Sequence, residues 1–377
     1  MTRIKNKRDY LIIADSERSS TMLYASGFSA PDPFVFTRIN GRTYLLASPL
    51  EYERAQKESA ADEVVNTAGI KVRYTPRSYA GIFLSFVRDN FTARSFEVPA
   101  DFPLAYGLFL KKRKIRLTIK KPPFFPERMI KSSTETEHIK KSIVTAQQGM
   151  KAAEDILRRS SINSSGFIVY RGRILTSEAL RSEINTVFAR NNAVSSGTIA
   201  AGGDHACDPH CRGTGKLKAF QPIIFDIFPR SNDTSYYADI TRTFIKGKPS
   251  SELQDLYTAV KDAQEKAVSK IKPGVCMKTV HNCAAEHFSR QGYTTQTRGD
   301  ELKGFIHSTG HGFGLDIHEP PAVNSRNGMR LKKGMVITVE PGLYYPGLGG
   351  VRIEDDIQVT SDGCTVLSDY HKKWVIP

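Results

Sequence analysis

Three of the chain's nine histidines fall within HSTGHGFGLDIHEPP, residues 307 to 321. His307 and His311 have the i, i+4 spacing that sets two zinc ligands on one helical face, but Gly310, Gly312 and Gly314 make a helix there improbable. The histidines must therefore find partners elsewhere in the chain. Candidates are acids standing inside apolar runs: Asp226 in IIFDIF, Asp239 in YADIT, Glu340 in VITVEPG, and Glu354, Asp355 and Asp356 in VRIEDDIQV.

An isolated ionised carboxylate inside a sheet is very costly, so each must be paired, protonated, bound to a cation or turned to solvent. For one strand alone, solvent exposure is adequate: Thr241 and Thr243 share the parity of Asp239 and would complete an ordinary polar face. For the whole set it is not, and Arg242 and Arg352 are too few to neutralise it. A metal centre rich in oxygen ligands satisfies all of them together. Two divalent ions about 3.5 to 4 Å apart can share bridging carboxylates, polarise a carbonyl and hold a hydroxide near neutral pH. Four acids and one imidazole suffice as their ligands, which frees two histidines for other work. The alternative cluster Cys207, His210 and Cys211, with His205 nearby, lacks the second ligand pair of a zinc ribbon.

These residues need elements to carry them. The first third of the chain mixes strand-like runs (YLIIA, PFVFTR, TYLLAS) with a helix-like EYERAQKESAADEVV, which predicts a small α/β domain over residues 1–130. KPPFFPERMIKSS, residues 121 to 133, has three prolines and no periodicity and reads as a linker. Residues 131–377 read as a second, α+β domain. Thr134 with Glu137 forms a capping box ahead of a long helix, Ser251 with Gln254 opens a second, and a third runs from Met277 to Arg290, so His281 and His287 are packing or surface residues. Between and after them lie four strands, 222–228, 236–244, 335–340 and 351–359, which predict a largely antiparallel sheet flanked by helices.

At 377 residues, with 40% hydrophobic and 25% charged residues, the chain has the composition of an ordinary globular protein of two domains. The apolar stretch near its start spans only Tyr10 to Ala14, too short for a secretory signal, and no run nears the ~18 apolar residues of a membrane helix. Five cysteines suit a reducing compartment, so a cytoplasmic protein without a membrane partner is expected. The net charge of +15 raises nucleic acid as a partner. Residues 1 to 130 carry 22 Lys and Arg against 13 Asp and Glu, concentrated in LKKRKIRLTIKK, residues 110 to 121. Its alternation predicts a charged edge strand that resists edge-to-edge pairing, and the absence of interleaved aromatics argues against base stacking.

Three segments, FDIFPRSNDTSYYADITRTF, GFIHSTGHGFGLDIHEPP and TVEPGLYYPGLGGVRIEDDIQVT, occur in order and at spacings that together resemble the pita-bread metallopeptidases, most closely the proline-specific branch of prolidase and aminopeptidase P. YASGFSAPDPF is similar to a phrase of that family's N-terminal domain. The resemblance implies a dinuclear centre held by Asp226, Asp239, His311, Glu340 and Glu354, with Asp239 and Glu354 bridging the ions. It implies that a metal-bridging hydroxide attacks the peptide carbonyl, that Glu340 moves the proton to the leaving amine, and that His307 and His318 contact substrate and stabilise the tetrahedral intermediate. His210 in CDPHC would line the substrate pocket, with Tyr344 and Arg352 as supporting polar groups. The implied cofactors are two divalent ions, manganese above all, with cobalt or zinc as substitutes. The implied substrate is a small peptide with proline in second position, and the implied assembly a homodimer.

Asp226 and Asp239 are thirteen apart where the family usually has eleven, and Phe228 stands where it has glycine. An even insertion in a hairpin keeps both aspartates on one face, because side chains alternate with period two. Asp233, inside the inserted loop, is the rejected alternative ligand. Asp355 and Asp356 are expected to support the ligand beside them or to serve as polar groups at the strand end, and Asp316 and Glu319 either orient imidazoles or face solvent, between which the sequence does not choose. Two rival readings remain on the same fold: a metal-free creatinase-like amidinohydrolase, and a non-catalytic protein that binds peptide or nucleic acid. Both predict eroded ligands, and none is eroded here.

Overall fold

The computed structural model describes residues 8–377 apart from 76, 196, 294, 299 and 300. The chain divides into two compact units, Met1–Arg128 and Met129–Pro377. The first is built on a six-stranded mixed sheet in the order β4-β3-β2-β1-β5-β6, from β1 (Tyr10–Ala14), β2 (Phe34–Ile39), β3 (Arg42–Ala47), β4 (Glu63–Asn66), β5 (Ser95–Val98) and β6 (Arg116–Ile119). Alternation in β1 sends Leu11 and Ile13 to one core and Tyr10 and Ile12 to the other. Helix α3 (Tyr79–Asn90) closes the first with Phe83, Leu84 and Val87. On the other face α1 (Ser20–Ser26) and α2 (Tyr52–Glu58) contribute Met22 and Ala55. The basic strand β6 lies at the sheet edge, with Arg116, Thr118 and Ile119 exposed, the placement in which charge hinders pairing with a second sheet.

Two expectations in this unit need correction. EYERAQKESAADEVV is not one helix: α2 ends at Glu58 and Glu63–Asn66 becomes β4, pairing in parallel with β3. The β-branched Val64 and Val65 gain more from the sheet edge than from extending a helix. Residues 121–133 are not all linker either, because Phe124 and Phe125 are buried edge-on to Tyr10, with centroids 5.8 and 5.7 Å away. Their rings complete the second core of this unit.

The second unit opens with helix α4 (Ser133–Arg159), whose capping box is Ser132 with Glu135, two residues before the expected pair. Ser132 has the extended backbone a cap needs, and Thr134 is already inside the helix. Likewise Ser250, one residue earlier than expected, caps α5 (Ser251–Ser269). Helices α5 and α6 (Met277–Arg290) lay Leu256, Val260, Val280, Ala284 and Phe288 against Ile337, Val339 and Ile357, each side chain larger than alanine contributing roughly 1.5–3 kcal/mol.

Two sheets carry the acidic strands. In one, Pro222–Ile227 lies antiparallel between Ile199–Gly202 and Ile240–Lys246. In the other, Gly310–Gly312 pairs with Glu319–Val323 and Val336–Val339, and Val336–Val339 with Asp355–Val359. A single antiparallel bridge between Thr241 and Glu354 joins them. The strand expected at 236–244 starts only at Ile240, because the preceding hairpin turns away: Arg230–Ser231 pairs with Ala193–Val194. Among the described residues no helix is long and apolar enough to cross a membrane.

Candidate metal centre

The GHG segment is a strand, as its glycines require. A Cβ on Gly310 would lie 2.0 Å from the Thr338 carbonyl oxygen, and one on Gly312 2.6 Å from that of Pro320, so only glycine lets the neighbouring backbones approach this closely. His311 between them is thereby held at the junction of the two sheets. Its Nδ1 lies 3.1 Å from the Gly312 carbonyl oxygen and donates to it, which turns Nε2 toward Asp239 Oδ2 at 3.6 Å and Glu340 Oε1 at 3.3 Å. A ring fixed through one nitrogen presents the other as a ligand in a known tautomer.

The aspartates arrive from the first sheet. Asp226 lies directly opposite Thr241, and Asp239 is two residues before Thr241, so both carboxylates leave one face of the hairpin despite the insertion. Asp233 is elsewhere, exposed at the hairpin tip and accepting from Asn192 at 2.8 Å. Phe228 packs its ring over Gly197, where a Cβ would come within 2.4 Å of it. Glu340 follows the Val336–Val339 strand and Glu354 precedes Asp355–Val359. Asp239, His311 and Glu354 offer ligand atoms that all lie within 4.8 Å of one another.

The electrostatics of this group are unusual. Burial, then the neighbouring carboxylates Glu354 and Asp226, pushes Asp239 well above the carboxylate range; burial, Glu340 and Asp226 do the same to Glu354. Asp226 is raised by burial even though Arg352 donates to its Oδ2 at 2.6 Å. Its Oδ1 is buried with no hydrogen-bond partner, an arrangement costing about 1–3 kcal/mol unless something else meets the atom. Glu340 differs: burial disfavours its charge, but His311 beside it brings the carboxyl down to about 2, and His311 is raised in return. Four acids, one imidazole and an orphaned oxygen match the donor set of a divalent cation site.

Two threonines and the two aspartates after Glu354 hold these groups. Thr241 donates to Glu354 Oε2 at 2.7 Å. The Thr338 hydroxyl donates to Glu340 Oε1 at 3.2 Å while accepting from the His311 N–H at 3.2 Å, tying two of the five together. Asp356 accepts from the Asp239 N–H at 3.2 Å, and Asp355 pairs with Arg242. Period-two parity with a suspected ligand was the available signal for both threonines. Glu319 pairs with buried Lys131 at 3.2 Å and accepts from the N–H groups of Leu315 and Asp316, bracing the loop before His318.

The remaining histidines separate. Arg352 donates to the Tyr344 hydroxyl at 2.9 Å; that oxygen is 2.8 Å from His307 Nε2, and His307 Nδ1 is 2.7 Å from the Ser308 carbonyl oxygen. Burial raises Tyr344 to about 12 and lowers His307, so the chain runs Arg352 to neutral tyrosine to neutral imidazole, with both nitrogens of His307 engaged. His318 is exposed, edge-on to His311 at 4.4 Å between centroids, and forms no hydrogen bond among the described residues. Burial, then His311 and His210, lowers its pKa. His210 is exposed on the loop before Pro222, close enough to influence both His307 and His318. Cys207, His210 and Cys211 form no converging ligand set among the described residues.

A model of metallopeptidase family M24 matches residues 137–361. The chain belongs to metallopeptidase family M24. Its fold is the pita-bread fold of that family. An uncharacterized peptidase of Staphylococcus aureus is 42% identical over 182 residues, covering 48% of this chain and 49% of that protein; the chain spans about half the length of the curated relatives it matches. Among solved structures, a prolidase from Pyrococcus furiosus superposes with a TM-score of 0.79 at 26% identity over 97% of both chains. An X-Pro aminopeptidase from Thermotoga maritima superposes at 0.81 over 98% of this M24 chain and 97% of its own, and at 24% identity that likeness is one of fold.

Proposed function

We propose that the chain is a dinuclear metal-dependent exopeptidase that hydrolyses the bond between an N-terminal residue and proline. The observation that carries this reading is the cluster at the sheet junction, where buried Asp239 and Glu354 meet His311 with half-buried Glu340 and Asp226 acting on them, and no Lys or Arg is paired to Asp239 or Glu354 among the described residues. Family membership and the structural likeness to a prolidase support it. Asp226, Asp239, His311, Glu340 and Glu354 would hold two divalent ions, manganese by preference. When bound, such ions polarise a carbonyl and make water acidic enough to act as a nucleophile near neutral pH.

The chain's own groups do the rest. Glu340, ionised well below neutral pH and fixed by Thr338, accepts a proton from the attacking water and returns it to the proline nitrogen as the bond breaks. His318, exposed and neutral, donates a hydrogen bond to the developing oxyanion. His307 has both nitrogens occupied, so its part is to fix Tyr344 and Arg352, and through them Asp226, while His210 meets the substrate from the loop opposite. A proline amide carries no N–H, so the pocket must engage the substrate through other atoms. Cytoplasmic location and a homodimer belong to the same proposal, the latter read by light scattering. The test compares a Xaa-Pro dipeptide with a Xaa-Pro-Yaa tripeptide, with manganese added and then chelated. Manganese-dependent release of the N-terminal residue from either supports the reading, and cleavage of neither with manganese, cobalt or zinc contradicts it.

A further inference from the structure

His281 lies on α6, outside the five acid and imidazole groups, and its environment is not that of a surface residue. Its Nδ1 is 2.9 Å from the Thr309 hydroxyl. Its ring stacks on Phe305 at 5.1 Å and 26°, and Phe305 in turn meets His307 edge-on at 5.7 Å. Burial lowers the His281 pKa, so the ring is neutral and offers one lone pair and one N–H.

Thr309 is the residue through which this matters. It is fully buried, midway between His307 and His311. Its carbonyl accepts the Glu340 N–H at 2.7 Å and its own N–H donates to Val323 at 2.9 Å. One residue thus sets the spacing between the His311 strand and the start of the Glu340 turn, and its hydroxyl is held by a helix. A hydroxyl in a fully buried position needs a partner, and His281 supplies it.

We infer that His281 is a positioning residue, which by holding Thr309 and Phe305 sets His311, Glu340 and His307 relative to one another. The inference rests on the metallopeptidase reading above. It predicts behaviour that simple core packing would not produce. The bond depends on one nitrogen, so asparagine, whose side-chain amide reaches the place of Nδ1, should restore what leucine loses.

The experiment uses His281→Leu, His281→Asn, Thr309→Val and the double variant His281→Leu/Thr309→Val in the full chain. For each, manganese affinity of the metal-stripped protein is measured by competition with a chelating dye, alongside kcat and KM on a Xaa-Pro peptide and thermal unfolding. His281→Leu and Thr309→Val should each weaken manganese binding by roughly tenfold and lower kcat by about 10- to 100-fold, as outer partners of metal ligands do, with KM within about twofold. His281→Asn should return both within about threefold of wild type, and the double variant should be no worse than either single one, because both remove the same bond. Unchanged affinity and kcat in His281→Leu, or losses in it that asparagine does not restore, overturn the inference. A wild-type chain that binds manganese but cleaves no peptide would overturn the peptidase reading and leave the affinity comparison to decide the role of His281.

Discussion

Glu354 and Asp355 are consecutive, both buried, and treated in opposite ways. Asp355 sits in a cage: Arg242 at 2.7 Å, Lys372 at 2.9 Å and the Gln264 amide at 3.0 Å hold it below the carboxylate range despite burial. Arg242 spends its other donors on the carbonyls of Glu354, Tyr370 and His371, so this cage also ties down the C-terminal segment. Glu354, on the other side of the strand, has a threonine hydroxyl and three carboxylates for company and is pushed the other way. The chain therefore neutralises a buried acid with its own cations where the task is structural. Where it leaves acids uncompensated, a cation from outside is the consistent solution.

The largest effect expected from this contrast is on chemistry. Glu340→Gln and His311→Ala should each lower turnover by about a thousandfold or more, the loss of a proton carrier or of a metal ligand, with a melting temperature near that of wild type. A variant of either kind that keeps full activity breaks the site side of the comparison. On the structural side, Arg242→Met leaves Asp355 buried with one of its two cations and should cost roughly 3–5 kcal/mol in a denaturant titration. A cost below about 1 kcal/mol would mean the cage is ornamental.

The two regions should also respond to pH with opposite signs. In metal-stripped protein Asp239 and Glu354 bind protons more tightly folded than unfolded. Their contribution to stability is therefore greatest below the ordinary carboxylate range, about pH 4, and declines as pH rises toward their folded values. Asp355 is lowered; its contribution is present above that range and is lost as pH falls through its folded value. Urea titrations from about pH 2.5 to 8, with chelator and with saturating manganese, separate them: above about pH 4 manganese should remove the first dependence, while the second, below about pH 4, persists. A dependence identical in both conditions contradicts the assignment. The smallest effect is expected at Asp233, where Asp233→Ala should change stability by less than about 0.5 kcal/mol and leave metal binding untouched.

That acids stand inside apolar strands is legible from periodicity, and parity places Asp226 and Asp239 on one face across a two-residue insertion; the choice of five ligands among those acids and the three histidines comes from the family resemblance. What the pattern hid has one physical cause: side chains whose roles depend on contacts distant in sequence. His281 reads as a helix-packing residue until Thr309 is beside it, and Glu319 as an imidazole partner or a solvent-facing acid until Lys131, 188 positions away, reaches it. His307, by its motif a substrate contact, has both nitrogens committed by Tyr344 and Ser308. Phe124 and Phe125 lie in a proline-rich stretch that looks like a linker, yet their rings fill a core whose other members begin at Tyr10. The capping boxes show the smaller error, since several serines and threonines in a row compete and only the backbone chooses.

The central claim is that the uncompensated acids at the sheet junction are a two-ion centre. It is tested most directly by equilibrium dialysis of the wild-type chain against manganese followed by elemental analysis, with Asp239→Asn as the comparison. About two ions per wild-type chain and fewer than one per variant chain are expected, because Asp239 belongs to the central buried cluster. Wild-type protein that retains no manganese, cobalt or zinc would contradict it.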